Sequence, residues 1–122
     1  WLDENHIPMA VASSSREKMI RHHLDNWNLT HYFKVIASGQ QVTHSKPDPE
    51  IFLLAAEKLG VEPNHCLVLE DSYNGVRAGA AGGFVTVMVP DLMQPDDEMH
   101  SLYTAECKSL LEVLDKLKKN EL

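Results

Sequence analysis

A chain of 122 residues with 43% hydrophobic and 24% charged content is one domain at most, with the composition of an ordinary globular protein. A formal net charge of -7 with no basic stripe argues against nucleic acid or an anionic membrane surface as the main partner, since both require clustered Lys and Arg. No apolar run is long enough to span a bilayer, and Cys66 and Cys107 form no Cys-x-x-Cys pair, so the expected setting is reducing and cytoplasmic.

The opening Trp1-Leu2-Asp3-Glu4-Asn5-His6 has no initiator Met and reads as the tail of a helix that begins upstream. Ile7 to Ala12 is a short apolar run ending in Ser13-Ser14-Ser15, the pattern of a buried strand running into a helix N-terminus. Met19, Ile20, His23, Leu24 and Trp27 then recur at the spacing of an amphipathic helix. Phe33 to Ser38 reads as a strand closed by Gly39. Asp48 as N-cap and Pro49 as first helical residue open a helix that runs to Gly60, with Ile51, Phe52, Ala55 and Leu59 inward.

Pro63-Asn64 turns the chain into Cys66-Leu67-Val68-Leu69, which lacks polar alternation and so reads as a strand buried on both faces of a parallel sheet. It ends in Glu70-Asp71. Ser72 and Asn74 cap or turn, and Val76 to Ala81 is a small-residue helix able to lie close on a sheet. Gly79 suits that close packing and Gly82-Gly83 the turn into Phe84 to Val89, a strand stopped by Pro90. Asp91 to His100 reads as loop, its Asp96-Asp97-Glu98 run solvated. Ser109 and Glu112 form a capping box for a last helix marked by Leu110, Val113, Leu114 and Leu117 and finished by Lys116, Lys118 and Lys119. Four strand–helix alternations predict an α/β fold, a Rossmann-like parallel sheet with flanking helices and right-handed crossovers.

Three features carry chemistry. The Ser13 hydroxyl, with the amides of Ser14 and Ser15 at a helix start, can face an anion, although one such serine is also what an N-cap needs. Lys46, held extended by Pro47, offers an ammonium. Glu70 and Asp71, at the carboxyl end of a strand, are hard oxygen ligands suited to Mg²⁺, or simple caps for the next helix. Brought to one sheet edge, hydroxyl, ammonium and paired acids would hold a phosphate and its metal.

The set Val11-Ala12-Ser13-Ser14-Ser15, Ser45-Lys46-Pro47-Asp48-Pro49-Glu50-Ile51-Phe52, and Leu69-Glu70-Asp71-Ser72-Tyr73-Asn74-Gly75-Val76-Arg77-Ala78 with Ala81-Gly82 resembles motifs two, three and four of the haloacid dehalogenase superfamily. It is similar in particular to the β-phosphoglucomutase-like phosphatases and phosphomutases. The resemblance runs from Trp1 to the last helix and implies that residues 1–122 are the C-terminal part of such a core domain. It implies Ser13 as the hydroxyl that binds the transferring phosphoryl group, with Ser14 and Ser15 nearby. Lys46 would balance the charge of nucleophile and phosphate, Glu70 and Asp71 would hold Mg²⁺, and Asn74 would support the site without ligating.

The family's first motif, an Asp-x-Asp whose first Asp attacks phosphorus, does not occur here, and neither does the mobile cap inserted after it. The resemblance places the strand of that motif between the strand ending in Ser13 and the one ending in Glu70. The expected protein is thus a Mg²⁺-dependent phosphohydrolase of small phosphorylated metabolites, sugar phosphates first, acting through an aspartyl-phosphate on an upstream Asp. Its partners would be that substrate and the missing N-terminal part of the same polypeptide, and the 122 residues alone would be inactive. Alternatives are a phosphosugar mutase or a non-catalytic phosphate- or Mg²⁺-binding fragment akin to a receiver domain, for which no phospho-accepting Asp at a strand end stands out. A nucleotide-cofactor domain would need the Gly-x-Gly-x-x-Gly fingerprint that is not present.

Overall fold

Short apolar runs separated by capping residues form strands here because each is covered by the helix that follows it. In the computed structural model, which describes Trp1–Leu122, the order is β1 (Ala10–Ser13), α1 (Glu17–Asn26), β2 (Val35–Ser38), α2 (Glu50–Leu59), β3 (Leu67–Glu70), α3 (Tyr73–Ala81), β4 (Val85–Met88), α4 (Asp97–Leu102), β5 (Ala105–Glu106) and α5 (Leu110–Lys118). All strand pairs are parallel: Ser13 lies opposite Ser38, Glu70 opposite Met88, and Val87 opposite Ala105. This is the α/β architecture the alternation predicts. No helix is long and apolar enough to cross a membrane.

The strands form two hydrogen-bonded sheets, β1-β2 and β3-β4-β5. No hydrogen-bonded ladder joins the two sheets, and the resemblance places a further strand between the strand ending in Ser13 and the strand ending in Glu70. β1 and β3 are consequently edge strands with one free ladder each. One departure from expectation is that β3 is not buried on both faces: Leu69 is 40% exposed, and β1 is only half-buried throughout.

What joins the two sheets is side-chain packing. Helix α2 lies against β1, β2 and α3, and its Ile51, Phe52, Ala55 and Ala56 share one core with Ala37 of β2, Val68 of β3, Ala78 of α3 and Phe84. The Phe52 and Phe84 rings meet edge to face, centroids 6.0 Å apart. A Cβ on Gly79 would stand 2.6 Å from Thr86 Oγ1, so α3 lies close on β4 as its small residues predict.

Elsewhere local chemistry shifts boundaries. Helix α1 starts only at Glu17 and its N-cap Arg16 makes no side-chain cap bond; Ser13 ends β1 and Ser14 and Ser15 form the bend that follows, so none of the three caps the helix. Only Ile20 of α1 is buried; Met19 is 49% and Trp27 77% exposed, so the apolar stripe overstates the packed face. The loop expected at Asp91 to His100 contains α4, because Asp96 caps it by accepting from Met99 N at 2.9 Å and Met99 is fully buried. The short strand β5 follows. Ser109 caps α5, accepting from Glu112 N at 3.2 Å, but the expected capping box is incomplete because Glu112 Oε2 accepts from Lys108 N at 2.9 Å, and Leu110 is 63% exposed.

Gly60 closes α2 at φ 73, with nothing within 4 Å of the position a Cβ would take. Gly60→Ala should therefore cost about 1 kcal/mol by backbone conformation alone, read as a lower urea midpoint at unchanged slope.

Candidate active site

Lys46 sits on the loop between β2 and α2, and its ammonium reaches across to the other sheet. Nζ lies 3.1 Å from Glu70 Oε1 and 5.5 Å from the centroid of Phe52, with only 18% of the Lys46 side chain and 10% of the Glu70 side chain exposed. Ordering a lysine costs rotamer freedom, which a charge-assisted bond and the contact with Phe52 offset.

The loop that carries Lys46 is fastened by Glu50 in the first turn of α2, which accepts from Thr43 N at 3.1 Å and His44 N at 2.6 Å. Those amides favour the ionised carboxylate and hold its pKa below the ordinary 4.5. Asp48 Oδ1 accepts from Glu50 N at 2.9 Å, capping α2 from one residue further out than the assigned N-cap Pro49. Because the folded value is depressed, the fastening is complete above 4.5 and is lost as pH falls through the lowered value. The Thr43 and His44 amide proton shifts should move together with a midpoint below 4.5, and Glu50→Gln should abolish that step. A midpoint at or above the ordinary value would contradict the assignment.

Glu70 closes β3 and uses both carboxylate oxygens. Oε1 takes Lys46, and Oε2 accepts from Ser72 Oγ at 3.1 Å and Ser72 N at 3.4 Å. Ser72 Oγ in turn accepts from Gly75 N at 3.0 Å and so caps α3. Asp71, next along the chain, is exposed and is engaged by none of these bonds. Of the two adjacent acids, Glu70 thus braces the ammonium, while Asp71 stays exposed.

No group of three or more His, Cys, Asp or Glu is gathered for a metal ion. Asp71 and Glu70 supply the hard carboxylate oxygens that would suit Mg²⁺, which binds through one or two carboxylates.

Asn74 makes no hydrogen bond to Glu70 or Asp71. Its Oδ1 accepts from Arg77 Nη1 at 2.9 Å, and Arg77 clamps Glu98 of α4 through bonds of 2.7 Å and 2.6 Å. The clamp raises the Arg77 pKa and lowers that of Glu98, through the hydrogen bonds between them first. All three acids of the Asp96-Asp97-Glu98 run are exposed, and Glu98 alone is tied to α3.

Ser13 ends β1, and its Oγ accepts from Ser15 N at 3.2 Å. Ser14 and Ser15 are exposed. The end of β2 grips this serine turn: Ser38 Oγ donates to Ser15 O at 2.7 Å, and Gln40 Oε1 accepts from Glu17 N at 3.1 Å. A Cβ on Gly39 would stand 2.6 Å from Ser14 O. These gripping residues escaped the sequence reading. The signal was available in Ser38-x-x-Gln41, a capping box in which Gln41 Oε1 accepts from Ser38 N at 2.9 Å. The structure joins Lys46 to Glu70 and the serine turn to β2, while no hydrogen bond links the serines to Lys46 or the acids.

Residues 1–89 match the haloacid dehalogenase-like hydrolase family. The fructose-1-phosphate phosphatase YqaB of Escherichia coli is 39% identical over 82 residues, which is 67% of this chain and 44% of that protein. Hexitol phosphatase B of Escherichia coli is 34% identical over 113 residues, 93% of this chain and 51% of that one. A crystal structure of a Thermotoga maritima protein assigned as a beta-phosphoglucomutase superposes with a TM-score of 0.86 at 32% identity, covering 97% of this chain and 55% of that one. The chain thus spans about half the length of the relatives it matches.

Proposed function

Since the chain belongs to the haloacid dehalogenase-like hydrolases, we propose that it forms the phosphate- and Mg²⁺-binding part of a phosphohydrolase acting on small phosphorylated metabolites, sugar phosphates foremost. The observation that carries this reading is the Lys46–Glu70 contact of 3.1 Å, which fixes an ammonium beside the strand end that bears Asp71. Lys46 and the Ser13 hydroxyl, with Ser14 and Ser15, take the phosphoryl oxygens. Asp71, with Glu70, holds Mg²⁺, which supplies charge neutralisation for the phosphoryl group.

The nucleophile lies outside these residues. A carboxylate oxygen of an upstream Asp attacks phosphorus, the P–O ester bond breaks, and a second upstream Asp gives the leaving alcohol its proton; water then passes a proton back to that second Asp as it attacks the aspartyl-phosphate, freeing the first Asp and inorganic phosphate. The unpaired edges of β1 and β3 support the reading that one more parallel strand, from the N-terminal part of the same polypeptide, carries that Asp between them. Cys66 and Cys107 are free thiols whose pKa values burial pushes up, so neither is poised as a reactive thiolate; the setting proposed is the reducing cytoplasm.

The test is phosphate release from a panel of sugar phosphates by the protein expressed with its upstream sequence. Turnover should require Mg²⁺ and stop with a chelator, whereas the 122-residue chain alone should show none. Absence of release from the longer protein would overturn the proposal. Turnover by the 122 residues alone would demand another nucleophile.

A further inference from the structure

Gly75 is buried in the first turns of α3, and its backbone is not left-handed, so conformation does not call for glycine there. Space does. A Cβ at this position would fall 2.0 Å from both Cδ and Oε2 of Glu70 and 2.6 Å from its Cγ. We infer that Gly75 is a positioning residue whose missing side chain forms the notch that seats the Glu70 carboxylate, and that through Glu70 it holds the Lys46 ammonium in place. The importance of that contact for phosphoryl transfer rests on the function proposed above; the notch itself does not.

The geometry also says what an added methyl would move. At Gly39 the obstructing atoms belong to the Ser14 backbone, which cannot yield without reshaping the turn. At Gly75 they belong to the end of one side chain. Gly75→Ala should therefore leave α3 folded, gain from alanine's better helix propensity, and displace the Glu70 carboxylate from Ser72 and Lys46. Helix and ion pair part company at this residue.

Lysine acetylation with acetic anhydride, mapped by mass spectrometry, reads the contact without any turnover, because the paired Lys46 ammonium is only 18% exposed. Lys46 should acetylate about tenfold faster in Gly75→Ala than in the parent, as expected for loss of one charged hydrogen bond. Glu70→Gln should give a similar rate, adding Gly75→Ala to it should change nothing more, and the other lysines should be unaffected. An unchanged Lys46 rate in folded Gly75→Ala would overturn the inference. Should Gly75→Ala not fold, Glu70→Ala in the same chain empties the contested space and should restore the cooperative melt; failure to restore it would equally overturn the inference. A longer protein without phosphatase activity but with these labelling rates would refute the proposed function and leave the notch standing.

Discussion

Phe84→Ala is expected to cost about 3–5 kcal/mol, enough to abolish whatever cooperative melt the 122-residue chain keeps without the strand proposed between β1 and β3. Phe84 is 7% exposed and Phe52 6%, and their rings meet edge to face across the line where the hydrogen-bonded order of strands breaks. In an unbroken sheet a lost ring leaves the ladders intact. Here no ladder joins β1-β2 to β3-β4-β5, so the core around Phe52 and Phe84 carries most of the association between them. The expected loss is a large part of the roughly 5–15 kcal/mol that stabilises a domain. Phe84→Leu, which keeps most of the volume, should cost about 1.5 kcal/mol or less. Circular dichroism melts decide it: a cooperative transition for Phe84→Ala near the parent temperature would mean that other contacts hold the sheets together.

Lys46→Met should act on both stability and chemistry. Without the ammonium the Glu70 carboxylate, 10% exposed, loses its charged partner and keeps only Ser72, at an expected cost of about 2 kcal/mol in the denaturant midpoint. Lys46→Met with Glu70→Gln removes the orphaned charge and should recover part of that loss. In the protein expressed with its upstream sequence, Lys46→Met should lower kcat/KM for a sugar phosphate by about 10²–10³, the usual effect of deleting one preorganised charge partner of a transition state. Stability recovered by the double variant without recovered activity would separate the two roles. Full activity in Lys46→Met would show that Lys46 only braces Glu70.

Much of the fold was legible because local signals agreed with one another. Pro49 and Gly60 bracket α2, Ser72 caps α3, Ser109 caps α5, and Gly82-Gly83 turns into β4. The failures share a physical origin. α4 is six residues held by the Asp96 cap, one buried methionine and a pair to Arg77, none of which has a period to read. Leu69 and Trp27 look like core residues in any window, and what they would pack against is decided by neighbours far along the chain.

The site divides in the same way. Lys46, Glu70 and Asp71 were legible as chemistry, but only folding shows that Glu70 faces Lys46 while Asp71 stays open. The grip of Ser38, Gly39 and Gln40 on the serine turn, and the notch at Gly75, depend on approaches between residues distant in sequence or on one missing methyl.

Asp71 is the most direct probe of the whole account. In the protein expressed with its upstream sequence, Asp71→Asn should retain the fold and lose Mg²⁺-dependent release of phosphate from sugar phosphates by about 10²-fold or more, with partial recovery at raised Mg²⁺. Release by Asp71→Asn at the parent rate and the parent Mg²⁺ requirement would contradict it.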